Sequence, residues 1–463
     1  MNRACPIVTV LMWFTRALLV PGVATWSVAA EAPAKNAPTS APATLPSKAP
    51  IDHLDLKDGD TIVFLGDSLT MQCGYTQYVE DFYYTRFPQL KINFYNAGVG
   101  GDRVFHAINR FDLDVAAQKP RYVTIMFGGN DAKDKQWDNE LFTKYATDML
   151  ALIKKTQAIG ATPILMGPGM YDRRALLLKP SPGRPYDSEA AKWSNPVMGY
   201  YSAYVRDQAS ELGLLYADVY SAQNNYAFEQ RVHNPNYMMS IDGWHPIAAG
   251  EIVMAATILD AVHAPGVVSS TTASFDAGRG WRVTMAPEGK ITDIKGTADH
   301  LSFTSLEPAL PWIVPAEAAY AYKASGAGDR HSAETLQIQG LPPGNYEVKI
   351  DGTSIGFFAS SQLGSQLDLQ YCDKAPQVQQ ALAVATLNQE RNQTAMHEIR
   401  MLYREAKINL PNQFTQETVD ASLKALQPRI EPLAKLNDDY ELKIRAAAVP
   451  KAHQFEIIKT NAK

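Results

Sequence analysis

From residue 61 to residue 262, short apolar runs alternate with longer amphipathic stretches, and this alternation most narrows what the chain can fold into. The runs at 61–65, 91–95, 122–127, 162–166 and 214–218 are too short for buried helices and read as strands. Between them, stretches at about 75–87, 103–117, 140–158 and 196–212 carry helical periodicity, and a last one at 247–262 closes the series. Strand and helix in turn predict a mainly parallel sheet covered on both faces, a three-layer α/β/α sandwich. Ligands of such sheets bind where the strands end at their carboxyl edge, so the turns after the strands are where chemistry is to be sought.

At 463 residues the chain exceeds what one hydrophobic core organises, so a second folded region is expected. Charged residues make up 20% and the net charge is -5, with no basic stripe, which excludes a nucleic-acid partner. Residues 1–30 read as an export signal: Asn2-Arg3, an apolar stretch, Arg16, a second apolar stretch, then Val28-Ala29-Ala30. Arg16 breaks the run before the roughly 18 residues a spanning helix needs, so no stable membrane insertion is expected and the mature protein is secreted or periplasmic. The same oddity suggests that translation begins at Met12. Residues 31–50, rich in Ala and Pro, read as a linker, and 51–264 as the α/β domain.

After Pro265 the texture changes to alternating segments separated by tight turns, such as Pro342-Pro343-Gly344-Asn345, which predicts a small antiparallel β unit at 265–375. Residues 376–463 read as a helical tail, divided by Pro411 and Pro428 and packed against the β unit. Cys5 falls in the signal, leaving Cys73 and Cys372 in different regions as two unpaired thiols. No CxxC or HExxH is present, so no metal is expected; His397-Glu398 opens like the latter, but position 401 is Met.

Gly66-Asp67-Ser68-Leu69 follows the first strand and opens a helix, a sharp turn that exposes a serine at the sheet edge with its N–H at a helix N-terminus. Taken alone, Ser68 could equally be a helix cap. A serine hydroxyl needs a base, and Asp242-Gly243-Trp244-His245-Pro246 supplies histidine and acid on one loop, with Pro246 opening the final helix. The run Asn96 to Asp102 follows the second strand and Gly128-Gly129-Asn130-Asp131 the third, on the same edge as Ser68. That offers the Gly101 N–H and the Asn130 amide beside the Ser68 N–H as oxyanion donors, each worth roughly 3 kcal/mol in the transition state. Trp244 and Phe127 are placed to shape an acyl pocket, though Phe127 reads more readily as a core residue. His106, on a helix, His233, in a polar loop, and His331, near the β unit, have no fitting neighbour, and Tyr171 to Arg174 read as a solvated loop.

These four ordered blocks resemble the GDSL, or SGNH, hydrolase family over about residues 58–264. The resemblance implies a flavodoxin-like sheet and ester hydrolysis without a cofactor, by Ser68, His245 and Asp242 with Ser68, Gly101 and Asn130 as the oxyanion hole. The region beyond Pro265 is similar to C-terminal extensions on exported esterases of planctomycete-type bacteria, which assigns it no activity. Export and the Asn/Tyr/Arg-rich segment 171–237 favour a glycan or other small ester as substrate, with acetyl as the acyl group. A lipid esterase, lysophospholipase or thioesterase on the same frame is the second reading, disfavoured because no long apolar lid is present. A non-catalytic glycan-binding protein is the third.

Overall fold

The computed structural model describes residues 53–133, 135–179, 188–410 and 415–460, so the expected signal and linker lie outside the described residues. The α/β part runs β1 (Thr61–Gly66), α1 (Ser68–Met71), α2 (Gly74–Arg86), β2 (Asn93–Gly98), α3 (Val104–Asp114), β3 (Tyr122–Met126) and α4 (Gly129–Ala132). It continues through α5 (Asn139–Ala158), β4 (Thr162–Met166), α6 (Arg173–Leu178), α7 (Glu189–Leu212), β5 (Leu215–Ala217), α8 (Val219–His233) and α9 (Ala248–Ala261). The strands form one parallel sheet in the order β2-β1-β3-β4-β5, the expected sandwich. Alternation along β1 sorts its two faces: Ile62 and Phe64 join the core under α2, α8 and α9, while Val63 and Leu65 join the core under α3, α5 and α7. Gly66 is in register with Gly98 on one side and Met126 on the other, so the three strands end together and deliver their turns to one edge.

Two helices depart from the sequence reading. α7 begins at Glu189, capped by Ser188, and carries Pro196 inside it rather than at its start. α8 occupies part of what reads as a polar segment and ends at His233; Asp218 caps it. Its signal is faint because buried Gln223 and Asn224 interrupt the apolar stripe, Gln223 satisfied by accepting from the Met170 N–H at 2.9 Å.

Beyond Pro265 come β6 (Val267–Asp276), β7 (Gly280–Ala286), β8 (Lys290–Thr297), β9 (His300–Leu306), α10 (Ala316–Ala324), α11 (Ala327–His331), β10 (Ala333–Gln339), β11 (Asn345–Ile350), β12 (Thr353–Ala359), α12 (Ser360–Ser365) and β13 (Leu367–Asp368). Then follow α13 (Pro376–Arg391), α14 (His397–Ile408), α15 (Gln416–Ala425), α16 (Gln427–Ala447) and β14 (Ala452–Thr460). The strands make two sheets, β13-β10-β6-β7 and β12-β11-β14-β9-β8. Pairing is antiparallel as expected except between β6 and β10, which are parallel. β14 corrects the expectation of helix to the end of the chain: His453, Phe455 and Ile457 are buried in strand alternation between β9 and β11. Cys73 and Cys372 are free thiols.

The tail meets the β unit as expected, with Gln377 of α13 donating to Glu334 of β10 at 2.6 Å, and it packs against the α/β part as well. On α13, Arg391 pairs with Glu80 of α2 at 2.6 Å and Asn388 donates to Asp81 at 2.8 Å. On α14, Arg400 is fully buried, binds both oxygens of Asp114 at 2.8 and 2.7 Å and donates to the Gly98 carbonyl at 2.9 Å. Burial favours a proton on Asp114, but Arg400 and Arg110 hold it below the usual carboxylate range. Removing one partner of a buried pair strands the other charge, so Arg400→Ala is expected to cost about 3–5 kcal/mol of unfolding free energy. Urea denaturation measures this; a loss under about 1 kcal/mol would mean that Arg110 alone satisfies Asp114.

Candidate active site

β1 passes straight into α1, and Asp67 caps that helix by accepting from the Leu69 N–H at 3.0 Å. Ser68 therefore does not cap it, and its hydroxyl is left for other work. The turn is tight: a β-carbon on Gly98 would lie 2.2 Å from the Met71 nitrogen, so the end of β2 meets α1 backbone to backbone. Asn96 ties the two together, donating to the Thr70 carbonyl at 2.6 Å and accepting from the Gly98 N–H at 2.9 Å.

The loop before α9 is closed by a bridge between Ser240 and Pro246, so Pro246 belongs to the loop and Ile247 is the cap. Within it, Asp242 Oδ1 accepts the N–H groups of Trp244 at 3.0 Å and His245 at 2.9 Å, which turns its other oxygen to the ring. His245 Nδ1 lies 2.7 Å from Asp242 Oδ2, and His245 Nε2 lies 3.0 Å from Ser68 Oγ. Burial opposes ionisation of Asp242, but the ring and the two amides outweigh it and hold the carboxyl well below its ordinary range. An ionised carboxylate only accepts, so the neutral ring carries its proton on Nδ1 and presents a lone pair at Nε2 to the serine.

The turns after β2 and β3 complete the edge. Asn130 Nδ2 donates to the Asp102 carbonyl at 3.0 Å and to Asp67 Oδ2 at 3.2 Å. Burial pushes Asp67 up to about 6, against the Leu69 N–H and the nearby His245, and pushes Asp131 up to about 7. Among the described residues, neither the Ser68 nor the Gly101 backbone N–H has a hydrogen-bond acceptor. Ser68, Asn130, Asp242 and His245 line one cavity of about 220 Å³, with Trp244 and Phe127 in its wall; Gly101 does not line it. Phe127 also fills the core under α7.

Several neighbouring residues do other work than the sequence suggests. Tyr171 and Asp172 are buried, not part of a solvated loop. Tyr171 packs edge-on against Trp244 at 4.7 Å. Asp172 pairs with Arg231 at 2.6 Å and accepts from the Met239 N–H at 2.6 Å, while its own N–H donates to the Gly243 carbonyl at 2.8 Å, pinning both ends of the Asp242 loop. His331 does have a partner, Asp260 at 2.7 Å. Its other ring nitrogen has none among the described residues, so no nucleophile is coupled to it. His106 Nδ1 accepts from the Arg103 N–H at 3.0 Å, and burial lowers its pKa to about 4. Lys133, which lines the cavity in a left-handed conformation, carries no sequence signal that would have found it.

The GDSL-like lipase/acylhydrolase family model matches residues 64–251, the span that carries all four turns. Residues 64–251 are a GDSL-like lipase/acylhydrolase domain. The chain thus carries a GDSL-like domain and is an ester-hydrolysing enzyme. Over 230 residues it is 26% identical to an acetylxylan esterase of Geobacillus stearothermophilus, covering 44% of this chain and 95% of that one. A shorter match, 38% over 73 residues, covers 15% of this chain and 30% of an uncharacterized lipoprotein, YqeF, of Bacillus subtilis strain 168. A solved gut microbial diltiazem-metabolizing enzyme aligns with a TM-score of 0.73 at 22% identity, over 89% of this chain and 100% of that one. That likeness extends the shared fold past the GDSL domain into the C-terminal region. No described helix is long and apolar enough to cross a membrane.

Proposed function

We propose that this protein is an exported serine esterase that removes acetyl groups from a carbohydrate. The observation that carries the reading is the hydrogen-bonded relay from Asp242 through His245 to Ser68, 2.7 and 3.0 Å, with all three residues lining one cavity. His245 takes the Ser68 proton as Oγ attacks the ester carbonyl, then returns it to the leaving alcohol. The Ser68 and Gly101 N–H groups and the Asn130 amide hold the oxyanion, and water frees the acyl group from Ser68. Of the two Asn130 bonds, the longer one to Asp67 is the one the oxyanion displaces.

Acetyl is favoured because the cavity, about 220 Å³, is smaller than the roughly 300–1,000 Å³ of sites that enclose drug-sized ligands. A sugar alcohol is favoured by the likeness to an acetylxylan esterase over 95% of that protein's length. The test is a panel of aryl acetate, aryl octanoate and acetylated xylo-oligosaccharides. Acetyl esters should be cleaved fastest; a preference for octanoate overturns the reading in favour of a lipid esterase.

Asn130→Ala should lower kcat by roughly 10²- to 10³-fold with little change in KM, because the donor acts mainly on transition-state charge. Asn130→Asp should be at least as damaging, since it removes the donor and adds a carboxylate beside Asp67 facing the forming oxyanion. If Asn130 were only a turn residue, Asp would be tolerated. Steady-state kinetics on both variants, with thermal melting to confirm folding, separates the two.

A further inference from the structure

The peptide joining Gly100 to Gly101 is held from the C-terminal tail. Lys407, on α14, donates to the Gly100 carbonyl at 3.2 Å and pairs with Asp102 Oδ1 at 2.8 Å. Its ammonium lies 3.5 Å from where a β-carbon on Gly101 would stand, and Arg404 Nε lies 3.2 Å from the same point on Gly100. Two consecutive glycines, the second at φ +74°, leave little within the loop to stop that peptide from flipping. The Gly100 N–H offers only a weak anchor, the Met71 sulfur at 3.2 Å.

A trans peptide points its C=O and its N–H in opposite directions, so a clamp on the Gly100 oxygen sets the direction of the Gly101 N–H. A charge-assisted bond to that oxygen also polarises the peptide and strengthens the N–H as a donor. Through Asp102 the same lysine reaches the other oxyanion donor, because the Asp102 carbonyl receives the Asn130 amide at 3.0 Å. Neutralising Asp102 is not the whole of its task, since Arg110 Nε already pairs with Asp102 Oδ2 at 2.9 Å.

We propose that Lys407 is a positioning residue for the oxyanion hole: the tail's ammonium locks the Gly100–Gly101 peptide so that the Gly101 N–H faces Ser68. This rests on the assignment of Ser68, Gly101 and Asn130 under the proposed function. It gives the C-terminal tail, outside the GDSL domain, a part in turnover. Sequence alone carries no sign of it, because Lys407 is an ordinary last-turn cation on an amphipathic helix.

The test compares Lys407→Met, Lys407→Gln and Lys407→Arg in the full chain, using an aryl acetate as substrate and an aryl boronic acid, which becomes tetrahedral on the serine, as probe. Either neutral variant should lose about tenfold in kcat with KM within twofold, and boronate affinity should fall by a similar factor. Lys407→Arg should recover part of both losses. A lysine that only stabilises the fold would lower the melting temperature and leave boronate affinity of the folded protein unchanged, and that result overturns the proposal. So does a folded neutral variant with kcat within twofold of wild type; if the Met variant fails to fold, the Gln variant decides. An inactive wild type, or a Ser68→Ala variant as active as wild type, strikes the proposed esterase reading itself.

Discussion

Ser68→Ala is expected to lose at least about 10⁴-fold in kcat while melting within a few degrees of wild type. The hydroxyl bonds to His245 and not to the helix it opens, since Asp67 caps α1, so removing it costs the fold little. His245→Ala should cost nearly as much, and the double variant should be no worse than either, because a base and a nucleophile in the roles proposed act as one unit and their losses do not add. Kinetics on the two single variants and the double one measure this. Activity of Ser68→Ala within tenfold of wild type would remove Ser68 as nucleophile, and multiplying losses would assign the two residues to different steps.

Asp242→Asn is the second large effect, expected near 10⁴-fold in kcat. The asparagine carbonyl can still accept the Trp244 and His245 N–H groups, so the loop should form. Its NH₂, however, would face His245 Nδ1, which holds the ring as an acceptor there and moves the ring proton to Nε2. The ring would then meet Ser68 with a donor where a base is required, and the imidazolium formed during attack would lose its counter-charge. Measuring kcat for this variant against wild type, with melting as the control, checks it; a loss smaller than about 100-fold would mean that neither tautomer nor charge at Asp242 matters.

Much of the site is legible in the chain itself because its parts are local. The Asp67 cap and the Asp242 turn that aims one carboxylate oxygen at His245 are each set within a few residues, and turn chemistry is written in residue type. β1, β3 and β4 are readable for a related reason: a strand buried on both faces must be a short continuous apolar run. α8 and the pin of Asp172 on Arg231 are not, since buried polar side chains there are satisfied by partners far away in sequence and leave no periodic mark.

What the sequence by itself determined is the order of strand and helix and the identity of the chemical groups at the sheet edge, because periodicity and short-range hydrogen bonding decide those. What only the tertiary structure decided is who holds the edge in place. Arg400 and Lys407 reach Asp114 and Asp102 across some 300 residues of chain, and β14 enters the middle of a sheet whose other strands lie more than 90 residues earlier. An arginine or lysine on a helix reads as solvated until the fold shows which buried carboxylate it meets, and that pairing depends on the path of the chain in space, which no local pattern encodes.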